Sequence, residues 1–579
     1  MSRAAALFGL LALLGGGAAA AAEPAAPVAA AAGEAEIAAA AQAELERARA
    51  LQLPGQPPPY FAAVRVSDLW SSTAAASFGA LSFSATSPMR QARVDVRVGD
   101  YSLDNSNFAA TSVDREGVAI VQMPTDADAL ALRRELWLSF DRAYKGAVEE
   151  FSARKSALEG RPPPTVGSFA PLAGPPVVRG AVPGRALRPD AAAARVTAMS
   201  APLRGGEFEE GKALSRDYAG RRLLLTTEGT STWEEVHGSV AVIEATVRTA
   251  DGVRLRDARA WVARSQEEQL PTAALVAEVE EMAAGLLALR SAPVEPDYLG
   301  PVIFEDEAAV ELFRQLLQPE LGGTPPEERE PDPYGSPPEV TLSARVGRRL
   351  LPSGWSVVDD PLADPSAGGA YAVDHEGVPA QRVELVEDGV LKDVLMSRIP
   401  RKGAPASNGH ARALGNDRME ALPSVVTVKP GRARSERALR RVALRLGREA
   451  GLPYVLIIRR VEPLGLTEDF EVALSGDGPL SGLTRPLEVH RLYPDGREER
   501  VRGLSFTGVD RRVLRDIAAA GPTGPARTVL DGPSGPARYS MGAIDGLRVS
   551  WAVPAVVVTE VELRAGGGPE PRSAPPPRP

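Results

Sequence analysis

Residue types able to do metal, proton or nucleophile chemistry are scarce in this chain. It has four histidines, His237, His375, His410 and His490, and no cysteine. The lack of cysteine removes thiolate ligands, a thiol nucleophile and disulfides. A histidine zinc site needs two or three neutral imidazoles, usually two on one element, and no such local pair exists. Neither a Gly-x-Ser-x-Gly elbow nor a phosphate-binding glycine loop occurs. His237 and His490 fall in strand-like stretches and read as packing or surface residues. His375 stands between Asp374 and Glu376, ahead of a glycine. On a strand the two carboxylates would share one face and the imidazole would take the other, so a polar strand end and turn is the plainer reading. His410, with Asn408, lies in PASNGHAR, a loop rich in turn formers, where a histidine can contact substrate. Arg440, Arg441, Arg445 and Arg448 read as one solvated helix face rather than an anion site.

The elements that must position these residues follow from periodicity. Residues 300–323, GPVIFEDEAAVELFRQLLQPELGG, read as a short apolar strand, an acidic turn and a helix with Ala308, Leu312 and Leu316 on one face. Glu305, Asp306 and Glu307 suit the positive end of that helix. Upstream, Ala92, Val94, Val96 and Val98 alternate as on a half-buried strand. Residues 127–158 carry Leu132, Leu136, Phe140 and Tyr144 at helical spacing. Residues 221–251 read as two strands broken at Glu228-Gly229, and 275–289 as an amphipathic helix. Residues 339–562 are mainly β in character, with turns at 387–389, 476–478 and 494–496. One helix interrupts them at 435–450, and a strand follows at 454–460. Proline-rich stretches at 162–189 and 325–338 read as loops, the first a spacer with little core-forming content.

A chain of 579 residues, 44% hydrophobic, exceeds one core and calls for at least two domains. Net charge is −9 with 24% charged residues, so there is no cationic excess to displace counterions from nucleic acid. Arg3, the apolar run from Ala4 to Leu14 and the small residues up to Ala22 follow the plan of a signal peptide over 1–22. Export to the periplasm or medium without a stable membrane anchor is therefore expected. Residues 23–59 read as an Ala/Pro-rich linker with one helix, and 565–579 as a disordered tail.

The run LPSGWSVVDDPLADPSAGGAYAVDHEGVPAQRVELVEDGVLKDVLMSRIPRKGAPASNGHAR resembles the TldD/PmbA family, as do RRLLLTTEGT, GPVIFEDEAAVELF and RVRGLSFTGVDRRVL with VSWAVPAVVVTEVEL. The resemblance implies an α+β fold: an N-terminal domain of α/β type with antiparallel strands and a long helix at 60–295, and a C-terminal domain dominated by antiparallel sheet at 296–564. It further implies a homodimer, or a heterodimer with a family member, acting on peptide or unfolded protein segments. TldD-type members carry a zinc motif H-E-x-x-x-H on the junction helix and a distal cysteine ligand; PmbA-type members lack it. Here the motif positions hold Arg314, Gln315 and Pro319. An arginine repels a metal, a glutamine cannot take a proton from water, and a proline has no donor atom and ends the helix. The expectation is a PmbA-like chain without catalytic residues or a resident metal, binding peptide through Arg314, Gln315, Asn408 and His410. The alternatives are a peptidase whose zinc or other divalent metal is held by Glu311, Asp374, His375, Glu376 and His410, and a non-catalytic envelope structural protein.

Overall fold

The computed structural model describes residues 33–566 apart from 110–116, 126–127, 163, 183–184, 330–345, 415–417, 464–481, 533–534, 537 and 541–542. The signal peptide, the turn at 476–478, residues 330–338 of the acidic loop and the tail from 567 lie outside the described residues. No helix among the described residues is long and apolar enough to cross a membrane.

The first unit is built on one long hairpin, β1 (Pro59–Ser77) and β2 (Ala80–Val98). Its two-residue turn, Phe78 and Gly79, has φ of 50° and 75°, the conformation whose twist matches that of the strands it joins. With β3 (Val118–Gln122), β4 (Phe208–Thr226), β5 (Ser231–Arg248) and β6 (Arg254–Ala263), the sheet runs β3-β2-β1-β4-β5-β6, and all these pairs are antiparallel. Period two then sorts the side chains. One face carries Val64, Val66, Val94, Val96 and Leu223, buried under helices α1 (Glu34–Ala48) and α2 (Ala129–Leu158). Farther along that face Ala74, Ala213, Ala241 and Ile243 lie under α3 (Asp190–Ser200) and α4 (Thr272–Leu289). Asp128 caps α2, its carboxylate accepting from the N–H groups of Leu130 and Ala131, and Leu132, Leu136 and Phe140 are fully buried. Each such side chain contributes roughly 1.5–3 kcal/mol of burial.

Two sequence expectations change here. The helix assigned to a linker is core: Ile37, Ala40, Ala41, Leu45 and Ala48 of α1 pack on α2 and the sheet. Its alanine-rich composition hides a face that needs only small residues to fit closely. The proline-rich spacer at 162–189 also contributes core, because Phe169 and Leu187 are buried.

The second unit opens with β7 (Tyr298–Phe304) and α5 (Asp306–Leu317) and closes with β18 (Pro554–Ala565). One of its sheets comprises β8 (Ser356–Asp359), β9 (Val383–Glu387), β10 (Val425–Lys429), β16 (Arg527–Gly532) and β17 (Leu547–Ala552), in the order β9-β8-β10-β17-β16. The other comprises β11 (Val455–Val461), β12 (Pro486–Leu492), β13 (Glu498–Val501), β14 (Leu504–Phe506) and β15 (Ile517–Thr523), in the order β13-β12-β11-β7-β18-β14 with β15 also on β18. Only β10 with β17 and β7 with β11 run parallel among these pairs. Helix α5 is buried in the largest core, where Leu312, Phe313 and Leu316 cluster with residues of both sheets, and α6 (Glu436–Glu449) covers the outer face of the second sheet. The molecule is thus α+β and sheet-rich, as the sequence indicates.

The units meet across the helix-free face of the first sheet. Ala75, Leu214, Val240, Val242 and Ala258 pack on Leu530 of β16. Arg460 holds Asp257 through both guanidinium nitrogens, and Arg256 pairs with Glu462.

Candidate functional site

Helix α5 is reached from β7 through Glu305, in extended conformation, and Asp306, at φ 48°. Glu305 pairs with Arg459 at 3.3 Å, and burial pushes its carboxyl above the usual range. Glu307 reaches Arg527 at 2.9 Å and Arg460 at 3.4 Å. Two turns on, the Arg314 guanidinium is 3% exposed and fully engaged. Its Nη1 donates to both Glu311 oxygens at 2.9 and 3.1 Å, and its Nε and Nη2 donate to Asp531 of β16 at 2.8–3.2 Å. Nη2 also donates to the Leu530 carbonyl at 2.8 Å. Burial pushes Glu311 above its ordinary value, while Arg314 and Gln315 pull it down. Gln315 is used at both ends: its amide donates to Glu311 and Thr484, and its oxygen accepts from the Thr484 N–H. Pro319 falls in the short 3-10 turn Gln318–Glu320 that ends the helix.

Glu311 and Arg314 form part of the wall of a cavity of about 360 Å³ between the units, which Ala260, Val262 and Arg264 border from the first sheet. Strand β6 pairs only with β5 among the described residues, so its outer edge runs along this cavity.

The second candidate group lies elsewhere. Residues 374–377 form a turn, with Gly377 at φ 83° donating its N–H to the Asp374 carbonyl at 3.2 Å. The Asp374 carboxylate accepts from the N–H groups of Glu376, Val378 and Ala411, and the Glu376 carboxylate accepts from the Arg398 N–H at 2.6 Å. Burial pushes both carboxyls up, Asp374 further because Glu376 is close. His375 accepts from the Ala413 N–H at its Nδ1 and has Arg222 Nη1 3.4 Å from its Nε2. Burial, with Arg65, Arg222 and Arg412 nearby, holds it well below the ordinary histidine range and therefore neutral. The sequence places His410 in a substrate-contacting loop, but the side chain is wholly buried. Its Nδ1 lies 3.0 Å from the Asn408 carbonyl and its Nε2 3.7 Å from Asp359. Asn408 staples the same loop, accepting from Met396 N–H and donating to the Val394 carbonyl. Turn-forming residues satisfied their own backbone here instead of facing solvent.

The structure thus divides the sequence candidates. Arg314, Gln315 and Glu311 stand together on α5; Asp374, His375 and Glu376 share a separate turn; His410 and Asn408 lie behind that turn. No three His, Asp or Glu side chains converge as a metal site among the described residues. Sequence reading missed Asp531, the distant partner of Arg314, for which no local signal exists. It also missed the sheet-face arginines, although the alternation Arg93, Asp95, Arg97 between valines carried that signal.

Residues 298–446, from β7 to α6, match the family model for the PmbA/TldA metallopeptidase C-terminal domain. This stretch of the chain is thus a domain of the TldD/PmbA family. A protein named metalloprotease from Methanothermobacter thermautotrophicus is 35% identical over 91 residues, 16% of this chain and 20% of that one. Another so named, from Archaeoglobus fulgidus, is 35% identical over 78 residues, 14% of this chain and 18% of that one. The chain therefore spans about a fifth of the length of the curated relatives it matches. The crystal structure of TldE from Thermococcus kodakarensis has the same fold, with a TM-score of 0.54 at 14% identity, covering 87% of this chain and 97% of that one. Where the sequence resemblance puts the TldD-type zinc motif, the chain presents a guanidinium already between two carboxylates, an amide with both ends bonded and a proline. That donor set does not fit a zinc ion.

Proposed function

We propose that this chain is an exported, non-hydrolysing member of the TldD/PmbA family, PmbA-like in lacking the zinc motif. It binds an extended, unfolded peptide segment, as a homodimer or beside a second family member. The observation carrying this reading is the Glu311–Arg314–Asp531 cluster: the place a metal and its base would occupy is closed by a charge-paired arginine. The cavity volume falls within the usual range for ligand sites. The edge of β6 that is unpaired among the described residues offers the main-chain donors and acceptors with which an added peptide strand would pair.

The test combines metal analysis of the purified chain with fluorescence anisotropy of a labelled, unstructured peptide and mass spectrometry of the peptide after incubation. Binding unaffected by chelator, with intact peptide, is expected. Chelator-sensitive cleavage with one tightly held metal per chain would overturn the reading.

A further inference from the structure

A second chamber, of about 210 Å³, lies between the helix-free face of the first sheet and the second unit. Its floor includes Arg216, Tyr218 and Arg222 of β4, and its roof Tyr371, His375, Arg412 and Arg548. Gly238 helps to shape the floor: a Cβ there would come within 2.4 Å of the Tyr218 ring, so only glycine lets the ring lie flat across β5.

The four guanidiniums are unequally matched. Arg222 pairs with Glu234 at 3.0 Å. Arg412 Nη1 donates to the carbonyls of Pro423 and Arg548, at 2.9 and 3.0 Å, and its guanidinium lies over the Tyr371 ring. Arg548 Nη1 donates to the carbonyls of His237 and Arg264. Among the described residues neither Arg412 nor Arg548 has a carboxylate within ion-pairing distance. Behind His375, Arg65 is buried and its Nη1 has no hydrogen-bond partner.

The acids of the chamber are committed elsewhere. Glu235 pairs with Arg185 at 3.2 Å, and Asp374 accepts its three backbone N–H groups. The cationic surplus also registers on the histidines. Burial and then Arg548 and Arg185 hold His237 down at about 4, and His375 is held low by burial and its own arginine neighbours. Arginines are the side chains best built to grip a planar oxyanion through paired N–H donors.

We propose that this chamber is a carboxylate-binding site that receives the C-terminal carboxylate of a peptide held between the units. The assignment rests on the peptide-binding reading above. The chamber and the peptide cavity are neighbours, since Arg264 lines the cavity and its carbonyl accepts from Arg548 of the chamber. The chamber is smaller than the roughly 300–1,000 Å³ of drug-sized sites, which suits a chain end rather than a passing segment.

The test compares an N-terminally labelled unstructured peptide as free acid and as C-terminal amide, titrated against wild type, Arg412→Gln and Arg548→Gln, with inorganic phosphate as competitor. Circular dichroism melting checks each variant, and Arg548, only half-buried, serves if Arg412→Gln fails to fold. The expected result is free acid tighter than amide by about tenfold in wild type, with the difference lost in a folded variant. Equal binding of both forms, unchanged by the substitutions, overturns the carboxylate site and leaves peptide binding standing. Binding of neither form overturns both. Phosphate binding tighter than the free-acid peptide overturns the carboxylate assignment in favour of a phosphate site.

Discussion

Two buried arginines at the junction of the units have opposite surroundings. Arg314 lies between two carboxylates and a carbonyl, each of its nitrogens bonded. Arg412 is similarly buried, yet its partners among the described residues are carbonyl groups and an aromatic ring, and Arg548 disfavours its charge. A neutralised cation is a lock, because removing it strands its partners. An under-neutralised cation keeps charge that carbonyl dipoles satisfy only in part. Arg314 is of the first kind and Arg412 of the second.

The largest expected effect that would break this contrast comes from Arg314→Met. Removing the guanidinium leaves Glu311 and Asp531 buried without their cation, which should cost about 3–5 kcal/mol in urea denaturation. A loss no greater than that of Arg412→Gln would erase the distinction. Arg412→Gln should cost less, about 1.5–3 kcal/mol, since it breaks charge-assisted hydrogen bonds to two carbonyls but strands no carboxylate and relieves repulsion from Arg548. The smallest effect is on pH dependence. The folded value for His237 is about 4, against about 6.5 in an unfolded chain. Between these values the unfolded chain binds a proton that the folded chain rejects, so stability rises with pH through that window and falls on acidification. His375 acts in the same direction. Thermal melts from pH 7 to pH 4 should therefore decline, and those of His237→Asn should decline less; superimposable curves would remove His237 as a reporter of the chamber's charge.

Local pattern explains what could be read in advance. The alternation of Ala92, Val94, Val96 and Val98 marks the buried face of β2, and each is fully buried. Helix α2 and the strand-turn-helix of β7 and α5 likewise show in their periodicity. What local pattern cannot carry is partnership across the chain: Arg314 meets Asp531 217 residues away, and Arg222 meets His375 153 residues away. Hydrophobic periodicity is also silent on the complementary residues. Arg93 and Arg97 were the polar half of a strand whose apolar half was plain, and that half faces the second unit. The helix α1 was concealed for the opposite reason, since alanine contributes so little to a hydrophobic pattern even where it packs closely.

The pairing of β18 with β7 makes closure of the second unit a question of timing. Leu563 lies opposite Tyr298, and Val556 opposite Phe304, so the strand that opens the unit needs the final described strand as its neighbour. During synthesis the first sheet has all its long strands once Ala263 has emerged. In contrast, β7 waits through both later sheets with the edge of Val302, Ile303 and Phe304 uncovered. An apolar edge exposed for that interval invites pairing with other chains. How long a newborn molecule stays sticky is therefore set by the length of chain between these two strands.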